Sequence, residues 1–322
     1  MSLINIRNRL SKLPKSKHLI VDDFPIHTLH KIGYEPEQQF LTLLVFSENK
    51  SNLAFNPVGG KYLSVFYDIN CTVQSKNNKL EEFKNYTIIT LKTKEDDIED
   101  YFIELCLIFI KRLGAKPTLD SVKVQYEKLE SIFIRLSKTS NYSIIGLWGE
   151  LFLIAISKDP AYVINSWHKE HNDKFDFNDG IDKIEAKTTT QNRRIHNFEI
   201  KQLKEFDNSL TIIASIITVE IDKGKSIRNL IDYIKLNVNE EIFEKLILKT
   251  FDVIGDNINE CSERRFDFKM AESQTKFYLS QEIPKPGQVP SNILELKFRV
   301  DLEGVKSIKK SKFNGKLLTN FQ

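Results

Sequence analysis

Three ionic residues that could act together on a substrate, Asp176, Glu185 and Lys187, lie in one short segment of the chain. Two carboxylates that approach each other repel unless a cation lies between them, and hard oxygen ligands suit Mg²⁺ or Mn²⁺. An ammonium group beside such a metal can point at a phosphate that the metal binds. The combination is typical of metal-assisted phosphodiester hydrolysis.

Two strands joined at Asp179-Gly180 must position these residues. This dipeptide between two β-prone runs favours a two-residue type I′ turn, in which both residues have positive φ. With that turn, Asp176 lies opposite Lys183 and diagonal to Glu185, at about 7–8 Å. Side chains alternate along a strand, so one face of the hairpin carries the polar residues. That face consists of Asp176, Lys183, Glu185 and Lys187.

The other face of the hairpin is predicted to pack on the core. It carries Phe175, Phe177, Ile184 and Ala186. An ordinary half-exposed hairpin can also present Asp, Lys, Glu and Lys to solvent. The hairpin alone therefore leaves two interpretations open, a metal site and a charged solvent face.

A predicted helix at 144–157 holds one charged residue, Glu150, in a segment that is apolar almost all round. Such helices are buried. A buried carboxylate must pair, bind a metal or become neutral, because leaving it charged and alone is costly. We therefore expect a specific partner for Glu150, either a core Lys or Arg or a bound metal.

The order of predicted elements indicates an α/β (α+β) protein, a mixed sheet flanked by helices, with a β-rich N-terminal domain. We expect the β-rich domain at 1–120, a core at 121–260, and a C-terminal strand extension with a basic tail at 261–322. Hydrophobic periodicity predicts helices and strands along all three parts. The predicted strands are Phe40–Phe46, Lys61–Tyr67, Tyr86–Lys92, a short one near Tyr162–Trp167, 196–200, Leu210–Ile221 and Ile293–Leu302. The predicted helices are Tyr101–Ile110, Val122–Leu136, 144–157, 226–236 and 240–249.

Four sequence features in this order resemble the PD-(D/E)XK nuclease superfamily. They are Gly-Leu-Trp-Gly-Glu at 146–150, Trp167, Asp176-Phe177, and Ile184-Glu185-Ala186-Lys187-Thr188-Thr189. More narrowly, the chain resembles a bacterial family of PD-(D/E)XK motif proteins found among restriction and phage-defence genes. The motif proline is absent, because Phe175 precedes the aspartate.

The resemblance implies a role for each of these positions. Asp176 and Glu185 would be metal ligands, with help from the backbone carbonyl of Ala186. Lys187 would position the attacking water or stabilise developing charge. Glu150 matches the acid on the first core helix, which completes the metal site or a second one. The implied catalytic residues are thus Glu150, Asp176, Glu185 and Lys187.

Residues 183–204 hold six Lys or Arg against two Glu, a local charge of +4. A basic surface of this kind suits contact with DNA phosphates. The candidate DNA-binding residues are Arg193, Arg194, His196 and Gln202, although His196 and Gln202 could instead be structural or supply a further polar group to the site. Residues 1–20 and 304–322 each hold five basic and no acidic residues, which indicates either nucleic-acid contact or simply solvated termini.

We therefore predict a divalent-metal-dependent DNA endonuclease that uses Mg²⁺, with Mn²⁺ as a substitute, in restriction or phage defence. A homodimer, a methyltransferase or another defence subunit are the candidate protein partners. The alternatives are a catalytically inactive nuclease-fold subunit that binds DNA or acts as a scaffold, and a phosphodiesterase acting on RNA or a small molecule. Binding of Mn²⁺ and a substrate panel would separate the three.

Composition limits the remaining choices. With 322 residues, 41% of them hydrophobic and 22 of them Phe, the chain is globular, of roughly two domains. Arg7 and Arg9 interrupt the apolar stretch that a secretory signal needs. The apolar run Tyr101–Ile110 is shorter than a membrane span. Three widely spaced cysteines predict reduced thiols and no zinc site. We expect a cytoplasmic protein without membrane contact.

Overall fold

The computed structural model describes residues 3–13, 19–48, 58–71, 74–75, 84–136, 143–167, 174–203, 209–255, 260–287, 290, 292–313 and 315–322. The chain forms two compact units, Met1–Thr139 and Ser140–Gln322. The division between the units therefore lies C-terminal to the boundary that we predict at residue 120. Helix Leu119–Arg135 belongs to the first unit, because it packs on the helix that precedes it.

The first unit is built on a seven-stranded sheet with helices before and after it. Its elements are α1 (Leu3–Leu10), β1 (Ile20–Asp23), β2 (Lys31–Tyr34), β3 (Leu41–Phe46), β4 (Val58–Gly59), β5 (Leu63–Cys71), β6 (Gln74–Ser75), β7 (Lys84–Leu91), α2 (Asp96–Leu113) and α3 (Leu119–Arg135). The strands follow the order β4-β5-β7-β3-β2-β1-β6, and the β-rich character predicted for this part of the chain is confirmed.

Arginines of the basic N-terminal segment are used inside the first unit. Arg7 pairs with the buried Glu99 of α2, and Arg9 pairs with Asp22 of β1 at 2.7 Å. Residues 14–18, which hold two further lysines of this segment, lie outside the described residues. Arg7 and Arg9 therefore anchor α1 and are not available as a free basic arm.

The second unit holds the predicted hairpin and its surrounding helices. Its helices are α4 (Ile144–Ile156), α5 (Pro160–Ser166), α6 (Ile227–Lys235), α7 (Glu240–Ile254), α8 (Glu260–Glu263), α9 (Phe268–Gln274) and α10 (Lys316–Thr319), with 3-10 turns at Ile200–Leu203, Ser280–Glu282 and Lys310–Lys312. Its strands are β8 (Phe177–Asn178), β9 (Lys183–Thr189), β10 (Ile195–Glu199), β11 (Thr211–Ile217), β12 (Glu220–Lys225), β13 (Lys276–Leu279) and β14 (Lys297–Asp301).

The core of the second unit is a four-stranded mixed sheet in the order β13-β11-β9-β8. β9 pairs antiparallel with β8 and parallel with β11, and α4 packs on β9. A separate two-stranded sheet joins β10 and β14. This arrangement confirms the predicted mixed sheet with flanking helices, and it places the strand that holds Glu185 and Lys187 in the interior of the sheet.

The prediction of a short strand near Tyr162–Trp167 is wrong, because all of this segment except Trp167 lies in the helix α5. Asp159 caps its first turn by accepting a hydrogen bond from the backbone N–H of Tyr162 at 3.0 Å. Pro160 occupies the first turn, where its missing N–H costs nothing. The cap and the proline outweigh the β-branched side chains of Val163 and Ile164, which had favoured a strand.

Two other predicted strands are shorter in the structure. The run Leu210–Ile221 is interrupted at residues 218–219, so that β11 and β12 are separate strands. The strand expected at Ile293–Leu302 is paired only at Lys297–Asp301.

The C-terminal segment folds back onto the second unit. Four apolar side chains anchor it in the core, and the backbone carbonyl of Asn320 accepts a hydrogen bond from the N–H of Lys158 at 3.0 Å. The segment 261–322, which we expected to be an extension, thus also supplies β13 to the main sheet. The buried anchors are Phe313, Leu317, Leu318 and Phe321. Among the described residues, none of the helices has the length and apolar character of a membrane span.

Candidate active site at the hairpin

The hairpin turn differs from the predicted two-residue type I′ turn. The carboxylate of Asp179 accepts hydrogen bonds from the backbone N–H groups of Ile181 at 2.9 Å and Asp182 at 2.7 Å. Gly180 has a φ of +95°, whereas Asp179 does not have the positive φ that a type I′ turn requires. The side chain of Asp179 therefore closes a four-residue loop, as aspartates do in Asx turns.

The longer loop shifts the strand register by two residues. Phe177 lies opposite Ile184, and Asn178 lies opposite Lys183. Continuing this register by one residue puts Asp176 opposite Glu185, where we had predicted a diagonal relationship. A shift of two residues leaves each side chain on its original face, because side chains alternate with a period of two. The predicted polar face is therefore correct although the predicted register is wrong.

The acids of this face are buried. Asp176 is 7% exposed and Glu185 is 4% exposed, while Phe177 and Ile184 on the opposite face are fully buried. A charged solvent face would leave the carboxylates in water. The burial of both acids excludes that interpretation for Asp176 and Glu185.

Asp176 is bound to the strand that carries the other two ionic residues. Its Oδ2 accepts a 2.7 Å hydrogen bond from the backbone N–H of Ala186. Burial, together with the negative charges of Glu150 and Glu185, raises the pKa of Asp176 well above its usual value, against the opposing effects of the Ala186 N–H and Lys187. Such mutual repulsion between buried carboxylates is relieved by a cation.

The backbone of Ala186 presents its polar groups on the side of Asp176. In an extended strand the N–H and C=O of one residue point to the same neighbouring strand. Since the N–H of Ala186 reaches Asp176, its carbonyl lies along the same edge of β9. The carbonyl is therefore available on the side where the resemblance expects it.

Glu185 and Lys187 form an ion pair on β9. The ammonium Nζ of Lys187 lies 2.9 Å from Oε1 of Glu185. The side chain of Lys187 is 18% exposed, and that of Glu185 is 6% exposed. The amide of Gln202 contacts both residues, since its Nε2 donates to Oε1 of Glu185 and its Oε1 accepts from Nζ of Lys187 at 3.2 Å. The structure thus brings together two predicted catalytic residues and one residue that we had considered for DNA binding.

Glu150 has the specific partner that its burial required. Oε2 of Glu150 accepts a 2.6 Å hydrogen bond from Nε1 of Trp167, and both side chains are buried. Trp167 in turn forms an isolated bridge with Phe177 of the hairpin. The partner is a neutral indole donor and not the Lys, Arg or metal that the sequence suggests, although Trp167 is one of the residues behind the resemblance.

A close approach of α4 to β9 brings Glu150 near the hairpin. A Cβ built on Gly149 would lie 1.8 Å from Oγ1 of Thr188 and 3.4 Å from Ile216. Only glycine allows this approach, as we expect where a helix packs directly on a strand. The glycine that precedes Glu150 therefore sets the distance between the helix and the strand of Glu185 and Lys187.

The donor set fits a divalent cation through two carboxylates and a carbonyl. Within the described ranges, no group of three or more His, Cys, Asp or Glu side chains could hold a metal ion by itself. Mg²⁺ commonly binds through one or two carboxylates and completes its shell with water and substrate phosphate. Asp176, Glu185 and the carbonyl of Ala186 match this requirement, whereas Glu150 is engaged by Trp167.

Two of the four predicted DNA-binding residues lie inside the protein. Arg194 is 2% exposed and donates to the backbone carbonyl of Ser215 at 2.9 Å and to that of Gln274. His196 is 5% exposed, and its Nε2 lies 2.8 Å from Oγ of Ser215. Burial, and then the charges of Lys187 and Arg194, lower the pKa of His196 to about 4. Both residues contact Ser215 of β11 from inside the second unit.

Arg193 is the candidate DNA contact at the surface. Its side chain is 68% exposed, and it pairs with Asp301 of β14. The neighbouring Arg299 is exposed as well and donates to Gln191 at 3.4 Å. Alternation along β10 could have separated the exposed residues from the buried ones, because 194, 196 and 198 share the inner face.

Comparison with known proteins identifies one related family. The family model described as "Putative PD-(D/E)XK family member, (DUF4420)" matches residues 9–303. No curated protein and no solved structure matches the chain.

Proposed function

The chain belongs to this PD-(D/E)XK family, and on that premise we propose that it is a divalent-metal-dependent endonuclease that hydrolyses phosphodiester bonds in DNA. The observation that carries the proposal is the group of two buried acids, Asp176 and Glu185, with the half-buried Lys187 on one face of the hairpin. Family membership supports a nuclease-like fold, and the residue chemistry at the hairpin supports turnover.

We assign a role to each residue of this group. Asp176, Glu185 and the carbonyl of Ala186 would hold Mg²⁺, for which Mn²⁺ could substitute. The ion, when bound, would polarise the phosphoryl oxygen and lower the pKa of a water molecule. Lys187 would orient the attacking water and stabilise the charge that develops on the phosphate. Glu150, held by Trp167, would supply negative charge that raises the affinity of Asp176 and Glu185 for a cation.

DNA would be bound through surface cations near the site. Arg193 is the predicted DNA-binding residue that the proposal retains as a phosphate contact, together with the exposed Arg299 and Lys297 on β14. Arg194 and His196 are not retained, because both are buried. Phosphate contacts of this kind predict binding that weakens steeply as the salt concentration rises.

A role in restriction or phage defence remains part of the proposal, as do a cytoplasmic location and a homodimer or a partner methyltransferase or other defence subunit. These statements rest on the resemblance of the motif residues. An adjacent methyltransferase gene would support restriction, whereas an adjacent recombination or repair gene would argue for another role.

The decisive experiment measures DNA cleavage by the full chain with Mg²⁺ or Mn²⁺ and with EDTA. We expect metal-dependent cleavage by the wild type and loss of cleavage in Asp176→Ala and Lys187→Ala. Lys223→Ala is the matched control, because Lys223 is an exposed lysine on β12. If the wild type cleaves no DNA with either metal, and the variants behave like it in cells, the endonuclease proposal is wrong.

One observation favours the inactive alternative, a nuclease-fold subunit that binds DNA or acts as a scaffold. The carboxylate of Glu185 already has a cationic partner, because Nζ of Lys187 lies 2.9 Å from its Oε1, and this pair would compete with a metal ion for the carboxylate. Titration calorimetry with Mn²⁺ separates the two functions. An active enzyme should bind Mn²⁺ at a site that disappears in Glu185→Ala, whereas an inactive subunit should show no such difference.

A further inference from the structure

The side chain of Gln202 connects the two ionic residues of β9 with the turn that follows β10. Its Nε2 donates to Oε1 of Glu185. Its Oε1 accepts from Nζ of Lys187 at 3.2 Å and from the backbone N–H of Glu199 at 3.0 Å. The oxygen therefore has two donors and the nitrogen faces a carboxylate, so both ends of the amide are engaged.

These partners allow only one orientation of the amide. The ammonium of Lys187 and the N–H of Glu199 can only donate, and the carboxylate of Glu185, which is paired with that ammonium, accepts. Exchange of the amide oxygen and nitrogen would place N–H groups against two donors and an oxygen against a carboxylate. The oxygen and the nitrogen of the Gln202 amide thus both face partners of the matching hydrogen-bonding type.

The backbone of Gln202 is fixed as well. The 3-10 turn Ile200–Leu203 is anchored by Leu203, which is buried in a core cluster with Phe198, Ile213 and Tyr278. The ring centroid of Phe198 also lies 5.6 Å from Nζ of Lys187. The ammonium of Lys187 is therefore enclosed by the Glu185 carboxylate, the Gln202 amide and an aromatic ring.

We propose that Gln202 is a positioning residue that holds the ammonium of Lys187 and the carboxylate of Glu185 in a fixed relation. This positioning role replaces the DNA-contact role that the sequence predicts for Gln202. The effect of Gln202 on catalysis rests on the proposed endonuclease function. Gln202 does not touch the reacting atoms in this role. It prevents the Lys187 side chain from leaving the hairpin face.

The test compares two substitutions that remove different contacts. Gln202→Met keeps the length of the side chain and removes every hydrogen bond. Gln202→Glu keeps an oxygen that can accept from Lys187 and Glu199 but loses the donor to Glu185. Gln191→Ala is the matched control, because Gln191 is an exposed glutamine in contact with Arg299.

The first readout is the rate at which the Lys187 amine reacts with an acylating reagent at one fixed pH, followed by mass spectrometry on the metal-free full chain. We expect the rate to rise by about tenfold in Gln202→Met, as loss of a hydrogen bond to a charged group implies. We expect no rise in Gln202→Glu or Gln191→Ala. An unchanged rate in Gln202→Met, or an equal rise in the Met and Glu variants, overturns the proposal.

The second readout is DNA cleavage with Mn²⁺. A positioning role predicts that Gln202→Met lowers kcat at least about tenfold and leaves KM within about twofold, because the contact orients a reacting group without binding DNA. A rise in KM alone would restore the DNA-contact role and contradict the proposal. If the wild type cleaves no DNA, the endonuclease function fails while the labelling result still decides the role of Gln202.

Discussion

Asp176 accepts a 2.7 Å hydrogen bond from the backbone N–H of Ala186, the residue between Glu185 and Lys187. This bond ties the first acid of the hairpin to the middle of the strand that holds the second acid and the lysine. Asp176 therefore keeps its place beside Glu185 in spite of the burial and the charge repulsion that raise its pKa. The geometry of the site is maintained by the strand backbone at a cost in electrostatic energy.

We predict that Asp176→Asn separates stability from activity. The amide still accepts from the N–H of Ala186 but removes a buried negative charge from beside Glu150 and Glu185. We expect the metal-free variant to be more stable by about 1 kcal/mol, because a repulsive buried charge is lost. It should lose cleavage, and Mn²⁺ should no longer raise its melting temperature.

Thermal melts with and without Mn²⁺ check this prediction. Asp222→Asn is the control, because Asp222 is exposed on β12 and far along the chain from the hairpin. It should melt like the wild type under both conditions. A lower melting temperature for metal-free Asp176→Asn would show that the charge of Asp176 stabilises the fold, contrary to our account.

The hydrogen bond between Trp167 and Glu150 predicts a measurable coupling. Trp167→Phe keeps an aromatic ring but removes the Nε1 donor, which leaves a buried carboxylate without it. We expect a loss of about 2–4 kcal/mol in the free energy of unfolding, from the missing bond and the smaller ring.

Glu150→Gln serves as the second arm of a double-mutant cycle. If the hydrogen bond stabilises the fold, Trp167→Phe should lower the free energy of unfolding by less in the Glu150→Gln background than in the wild type. We expect a coupling energy between the two substitutions of about 0.5–3 kcal/mol. Additive losses in the double variant would indicate that Trp167 stabilises the unit by packing alone.

The close contact between α4 and β9 predicts that Gly149→Ala is destabilising. The new methyl group would meet Oγ1 of Thr188, so the helix must move away from the strand. We expect a loss of about 1–3 kcal/mol, typical of an overpacked core. Thr188→Ala removes Oγ1 and should recover part of the loss in the double variant.

Gly287→Ala is the control for this contact, because a Cβ at Gly287 meets no atom of the described residues within 4 Å. Urea unfolding of the wild type, Gly149→Ala, the double variant and Gly287→Ala checks the prediction. Equal stability of Gly149→Ala and the wild type would mean that α4 does not depend on this approach.

The polar face of the hairpin could be predicted from sequence, whereas its register could not. Alternation fixes which side chains share a face, and a shift of two residues preserves that pattern. The register depends on hydrogen bonds that the carboxylate of Asp179 makes with Ile181 and Asp182. A dipeptide rule based on backbone φ does not include this side-chain contribution.

Contacts across the fold account for the other differences. The apolar surroundings of Glu150 predicted that it needs a partner, but not that the partner is Trp167, which the following helix and loop bring into place. Likewise, residue type suggested Arg194 as a DNA contact. Its burial follows from the alternation along β10 and from its hydrogen bonds to Ser215 of β11, which belongs to a different sheet and is brought close only by the fold.

His196 predicts that the second unit loses stability in mild acid. The pKa of His196 is lowered to about 4 in the fold by burial and by the charges of Lys187 and Arg194, and it is about 6.5 in an unfolded chain. Between these values the unfolded chain binds more protons, so the free energy of unfolding falls as the pH falls. The contribution of His196 is complete above the unfolded pKa and is lost progressively down to the folded pKa.

We expect this residue to lower the free energy of unfolding by about 2 kcal/mol between pH 7 and pH 5. Trp148 and Trp167, the only two tryptophans of the sequence, both belong to the second unit, so tryptophan fluorescence during urea unfolding reports on the unit that holds His196. In His196→Asn the pH dependence should shrink by this amount. His27→Asn, at a half-buried histidine of the first unit, should leave this pH dependence unchanged. An equal pH dependence in His196→Asn and the wild type would mean that the neutral histidine beside Ser215 does not stabilise the unit.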